Sequence, residues 1–192
     1  MIRKFKQTLR WERINLKRNK PTIVIAKKIF NTVDQNRNHL KIWFPREKET
    51  QTIEDTLKYL FEGEKETEKW KKAWYWIYLN NKYIGNIWIF NISEKNKSAE
   101  IGYRLSKKFT RNWYITEAIK IIEKEFFENF KLNRIEICCD EKNLASKWVA
   151  EKCGYSFEWK IREHIYDKEY KKYTNTLIFS KLKSEYREQK KD

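Results

Sequence analysis

Two short stretches carry residues whose types and spacing could do chemistry. In TRNWYITEA, residues 110–118, a turn feeds a helix. The first turn of a helix leaves backbone N–H groups without intrahelical acceptors, which makes it a ready seat for a phosphate. Close approach of backbone to phosphate normally falls at glycine, whose missing side chain leaves room; here Arg111, Asn112 and Trp113 occupy the turn. A guanidinium at Arg111 can grip phosphate oxygens through its fork, whereas the Trp113 indole brings one donor and a large volume. In NLASKWVAEKCGY (143–155), Asn143 is placed to cap a helix and Gly154 to end it, with the Ser146 hydroxyl in the first turn.

Other reactive types are sparse. Cys138, Cys139 and Cys153 have no metal-like spacing, and the adjacent pair sits in the apolar run RIEICC, where alternate side chains face opposite ways. Buried free thiols are expected. With His39 and His164 the only histidines, a His-rich metal site is implausible, and none is expected.

The elements that must position these residues follow from the hydrophobic pattern. RINLKR (13–18) alternates as a first strand, and Ile25, Ile29 and Val33 fall at helical spacing. TIEDTLKYLFEGE predicts a second helix, with Thr52 as cap and Asp55 at the third helical position. Two apolar runs then flank Asn80-Asn81 and a third follows the polar stretch 93–98, the pattern of a three-stranded antiparallel meander. After the turn at 110–113, a long helix places Ile115, Ala118, Ile119, Ile122, Phe126 and Phe130 on one face. A buried strand at RIEICC, a helix from Asn143 and two strands near 155–163 and 173–182 complete the order β-α-α-β-β-β-α-β-α-β-β.

At 192 residues with 40% hydrophobic and 16% aromatic side chains, the chain can bury one core, and no Gly/Ser-rich linker or repeat marks a second domain. One domain is expected over 1–192, with a basic segment at 1–20 and a charged tail at 183–192. The net charge is +16, and eight basic side chains against Glu12 alone lie in the first twenty residues. That balance favours an acidic partner such as RNA or a ribosome surface, although an AT-rich genome would also enrich lysine. No run reaches the roughly 18 apolar residues of a membrane span, and no secretory signal opens the chain. The expected location is cytoplasmic, with an organellar one left open by the basic, acid-poor start.

The element order, together with SAEIGYRLS, TEA opening a helix, and RIEICCDEKNLASKWVAEKCGYSFEWKIREHIY, resembles the GNAT superfamily of acyl-CoA-dependent N-acyltransferases, in particular its ribosomal-protein N-acetyltransferase branch. NRNHLKIWFP (36–45) is similar to a segment of that branch near the acceptor, and the resemblance covers about residues 12–182. It implies an α/β (α+β) GNAT fold, with a mixed, mostly antiparallel central sheet and helices on both faces. It also implies acetyl-CoA as acyl donor. Ile101, Gly102 and Tyr103 would offer backbone groups to the pantetheine arm and thioester, and Asn143 would bond the same arm. Lys108 and the segment Arg111, Asn112, Trp113, Tyr114, Ile115 and Thr116 would hold the pyrophosphate. Ser146 matches the branch's serine, a donor to the departing sulfur. Asn36, Arg37, Trp43, Pro45 and Tyr166 map to the acceptor side.

Two departures stand out. The family's Gly-x-Gly falls on Arg111-Asn112-Trp113, so both glycines are replaced. The branch's catalytic glutamate falls on Ile165, and Glu163, two residues earlier and on the same side of a regular strand, is the expected substitute. An α-amine, with a reference pKa of about 7.7–8.0 against about 10.4 for lysine, is already partly neutral near pH 7 and depends less on a base. The expectation is an acetyl-CoA-dependent N-acetyltransferase acting on a protein α-amine, plausibly of a ribosomal protein. The alternative is a catalytically degenerate GNAT fold that binds RNA or a ribosomal surface. A homodimer is compatible with either.

Overall fold

The computed structural model describes residues 5–43, 50–167 and 171–190. It is a mixed α/β fold built on an open, mostly antiparallel eight-stranded sheet of order β1-β2-β3-β4-β5-β6-β8-β7. The strands are β1 (Thr8–Arg10), β2 (Ile14–Lys17), β3 (Ala73–Leu79), β4 (Lys82–Ser93), β5 (Ser98–Leu105), β6 (Arg134–Asp140), β7 (Ser156–Asp167) and β8 (Lys172–Leu182). The helices are α1 (Ile23–Asp34), α2 (Arg37–Leu40), α3 (Ile53–Glu68), α4 (Tyr114–Glu123), α5 (Leu144–Lys152) and α6 (Lys183–Glu188), and α4 runs on into a π-helical turn, Lys124–Asn129. Two compact units divide these residues: Met1–Phe90 with Tyr103–Ile121, and Asn91–Gly102 with Ile122–Asp192.

In the first unit, β1 to β4 form an antiparallel ladder. The β3–β4 hairpin turns at Asn80 and Asn81, both left-handed at φ 47 and 62, the conformation that a two-residue hairpin requires and that asparagine tolerates. Amphipathic α1 and α3 cover one face of the ladder, burying Ala26, Ile29, Val33 and Leu60 against Trp76, Tyr78 and Tyr83. A capping box fixes the start of α3: the Asp55 N–H donates to Thr52 Oγ1 at 3.0 Å, and the Thr52 N–H donates to Asp55 Oδ2 at 2.9 Å. Gly85 on β4 is required by its neighbour, since a Cβ there would lie 2.3 Å from the Arg104 carbonyl oxygen of β5.

In the second unit, β5 and β6 pair in parallel, from Ser98↔Arg134 to Ile101↔Ile137. Ile135, Ile137 and Cys139 of β6 and Leu177 and Phe179 of β8 are buried on one face. Helix α5 packs on β6 and β7. It ends at Gly154, whose φ of +73 closes the turn while the Tyr155 N–H donates to the Ala150 carbonyl at 3.0 Å. Deeper still, Lys181 of β8 donates to Glu123 Oε1 at 2.8 Å, to Gln189 Oε1 at 3.0 Å and to the Cys153 carbonyl.

The predicted order agrees with the structure at its eleven main elements and omits three. β1 is a three-residue strand paired with β2, α2 is one short turn, and α6 lies in the stretch expected to be a charged tail, where it buries Tyr186. The expected same-side placement of Glu163 and Ile165 also fails. Opposite Thr176 to Thr174 on β8, β7 runs from Ile161 to Ile165, so two extra residues bulge out and the alternation is lost.

Candidate active site

In the first unit, the turn at 110–113 takes a backbone shape that glycine favours. Arg111 and Trp113 both adopt left-handed φ, 62 and 66, at the two positions that the resemblance aligns with glycine. For side chains this bulky that conformation is costly, about 1–2 kcal/mol per residue, and it persists only where surrounding contacts impose it. The Trp113 indole is 53% exposed and so does not fill the fold's interior. Helix α4 starts directly after it, and its first internal bond is from the Glu117 N–H to the Trp113 carbonyl at 3.0 Å. The amides of Tyr114, Ile115 and Thr116 therefore open the helix without intrahelical acceptors. The Thr116 hydroxyl is committed to the Trp113 carbonyl at 2.6 Å.

Cations gather beside this turn. Lys108 and Lys82 share the Phe109 ring at 5.4 and 5.7 Å. Their proximity lowers the Lys108 pKa, first through a side-chain hydrogen bond and then through like-charge repulsion, which an anion would relieve. Two left-handed residues, the open amides of the helix start and the paired lysines make a donor set that fits a pyrophosphate.

Two of the acceptor-side candidates of this unit, Asn36 and Arg37, make hydrogen bonds within it. Asn36 accepts from the Lys107 N–H at 2.9 Å and donates to the Thr32 carbonyl at 2.7 Å, so it anchors the chain ahead of the turn. Arg37 binds Asp34 Oδ1 at 2.6 Å and the Thr50 carbonyl at 2.8 Å. Trp43 is half-buried, and Pro45 lies outside the described residues.

The second unit holds the remaining candidates. Pairing of β5 with β6 stops at Ile101↔Ile137, so Gly102 and the β6 backbone from Cys138 onward leave that ladder. Asn143 caps α5, accepting from the Ser146 N–H at 3.1 Å; its side-chain amide donors have no partner among the described residues. Ser146 is hydrogen-bonded to Cys139, whose thiol burial pushes up in pKa. Glu163 sits in the β7 bulge at φ 50, exposed, with its N–H donating to Asn175 Oδ1 at 2.8 Å. Tyr166 is 48% exposed beside Tyr173, at 5.1 Å between ring centroids.

A residue overlooked in the sequence stands out here. Glu100, on β5 just before the pairing ends, is half-buried, and burial raises its pKa above the ordinary carboxylate value. Hydrogen bonds from Cys138 and from Asn91, the latter at 3.0 Å, oppose that shift, and the charge of Glu136 adds to it. Its position inside SAEIGYRLS was visible, but its burial depends on partners 9 and 38 positions away. A half-buried carboxyl whose pKa is raised by burial is a candidate general base. Among the described residues no cluster could hold a metal ion, and no helix is long and apolar enough to cross a membrane.

The chain belongs to the acetyltransferase (GNAT) domain family, whose pattern it matches over residues 21–156. YdaF of Bacillus subtilis (strain 168), named provisionally as a ribosomal N-acetyltransferase, is 37% identical over 82 residues. That alignment covers 43% of this chain and 45% of YdaF, so the chain spans less than half the length of this relative. Among solved structures, RimL, a ribosomal alpha-N-protein acetyltransferase in complex with coenzyme A, superposes with a TM-score of 0.84 at 18% identity, covering 91% of this chain and 97% of RimL. MccE, a microcin self-immunity acetyltransferase in complex with acetyl-CoA and AMP, gives 0.81 at 22% identity, covering 89% and 93%. At these identities the structural likeness speaks to the fold.

Proposed function

We propose that this protein is an acetyl-CoA-dependent N-acetyltransferase whose acceptor is a protein α-amine, with a ribosomal protein as the acceptor class that YdaF and RimL suggest. The observation that carries the reading is the left-handed backbone at Arg111 and Trp113, a costly shape at two exposed residues that suits the reception of an anion. When bound, acetyl-CoA supplies an acetyl group activated as a thioester. By the family resemblance, the 111–116 backbone, Arg111 and Lys108 would hold its pyrophosphate, and the free amide of Asn143 and the backbone at Ile101, Gly102 and Tyr103 would hold its pantetheine arm. Glu100 would take the proton that the acceptor amine loses and return it to solvent, and Ser146 would give its proton to the departing sulfur and regain one from solvent, so the protons balance over a turnover.

Glu100 is preferred to Glu163 because its charge is already disfavoured by burial, whereas Glu163 is exposed and displaced by the bulge. Release of the CoA thiol in the presence of a peptide with a free N-terminus tests the assignment. Glu100→Gln should lower turnover by about 10²–10⁴ and flatten the acidic limb of its pH profile. Glu163→Gln should stay near the parent, and an unchanged rate in Glu100→Gln would remove Glu100 as base.

The net charge of +16 supports a second reading, an RNA-binding or ribosome-binding module. It requires RNA binding with a steep salt slope and no affinity for acetyl-CoA.

A further inference from the structure

A glycine loop holds its shape because glycine enters the left-handed region at little cost. Arg111 and Trp113 lack that freedom, so some contact must impose the shape, and the contact comes from a residue about a hundred positions earlier in the chain. Arg13, immediately before β2, reaches the loop–helix junction within the first unit. Its Nη2 donates to the Asn112 carbonyl at 3.0 Å, its Nε donates to Glu117 Oε1 at 2.6 Å, and its guanidinium lies 4.8 Å from the Tyr114 ring centroid. Nη2 also bonds Glu117 Oε1, and this pairing raises the Arg13 pKa.

We propose that Arg13 is a positioning residue that holds the 111–116 segment in its anion-receiving shape, replacing by side-chain contacts the conformational freedom of the two missing glycines. This rests on the reading of that segment as the pyrophosphate seat. The mechanism follows from the planarity of the peptide. The C=O of Asn112 and the N–H of Trp113 point in opposite directions across one trans peptide unit. A guanidinium drawing the carbonyl to one side therefore aims that N–H to the other and fixes the dihedrals on both sides of it.

The second effect is electrostatic. Glu117 is in the first turn of α4, its side chain is only 14% exposed, and its Oε2 is buried with no hydrogen-bond partner among the described residues. An uncompensated carboxylate there would repel a pyrophosphate at the helix start, and Arg13 supplies the compensating charge. Arginine suits both tasks because one planar fork binds a carbonyl and a carboxylate together while stacking on an aromatic ring; lysine has a single point of attachment.

Calorimetric titration of the whole chain with coenzyme A tests the proposal through a double-mutant cycle. Arg13→Gln should weaken binding tenfold or more, and Arg13→Lys should restore little of it. In an Arg111→Gly/Trp113→Gly background, where the turn needs no external hold, the same Arg13→Gln change should cost threefold or less. Equal losses in the two backgrounds would mean that Arg13 acts through charge or fold stability and does not hold the loop's shape, and would overturn the proposal, as would an unchanged affinity in the single variant. Absence of coenzyme A binding by the parent protein would instead remove the pyrophosphate reading, and this proposal with it.

Discussion

The Lys181–Glu123 pair gives the sharpest energetic expectation. Both side chains are almost sealed from water, at 1% and 4% exposure, and the ammonium is further held by the Cys153 carbonyl and Gln189. One charge therefore ties together the end of α4, the C-terminal cap of α5 and the residue after α6. Removing one partner takes the counter-charge away from the other buried group, at a cost of about 3–5 kcal/mol. Against a total stability on the order of 5–15 kcal/mol, that is a large fraction. Glu123→Ala and Lys181→Met should each lose stability of this size in urea unfolding, while Glu123→Leu/Lys181→Met, which removes both charges and keeps the volume, should recover most of it. Lys190–Glu128 serves as a control, with side chains 54% and 35% exposed, and breaking it should cost about 1 kcal/mol or less. If the Lys181 and Glu123 single variants cost no more than this control, desolvation is not what makes the buried pair matter, and the reasoning fails.

Three further outcomes follow from local geometry. Gly85→Ala should destabilise by about 1–3 kcal/mol, because the new methyl meets the Arg104 carbonyl and no flexible side chain can yield; a change under about 0.5 kcal/mol in denaturant titration would show that the strands part freely. Asn143→Ala should cost about 1 kcal/mol as a lost cap and also weaken coenzyme A binding, whereas Asn143→Ser should restore the cap and not the affinity, which thermal unfolding and calorimetry can separate. Glu100 has a folded pKa raised above its unfolded value, so the folded state binds the proton more tightly and stability falls as pH rises from the unfolded to the folded pKa. Glu100→Gln should therefore match the parent in acid and exceed it in stability at neutral pH; a constant difference across pH would contradict the shift.

The parts of the fold read from sequence are those whose signals are local. Thr52 with Asp55, Asn80-Asn81, Asn143 and Gly154 each fix a cap or turn within a few residues, and each lies where the pattern places it. The parts that escaped depend on distant partners. β1 is defined by pairing with β2 inside a basic run, and α6 by burial of Tyr186 among otherwise polar residues. Lys181 reads as a solvated lysine and is buried, and the β7 bulge that displaces Glu163 leaves no mark in an alternation that continues through it. At the candidate site, the turn and its missing glycines were visible; Arg13 and Glu100 were not, because what distinguishes them is what they touch.

The central claim is that a loop without glycines still receives a pyrophosphate. Calorimetry of the parent protein with acetyl-CoA at moderate salt addresses it directly. Saturable one-site binding that weakens markedly for an acetylated pantetheine lacking the nucleotide is the predicted result. No binding of acetyl-CoA, with RNA bound along a steep salt slope, would contradict the account and leave the fold as a binding module.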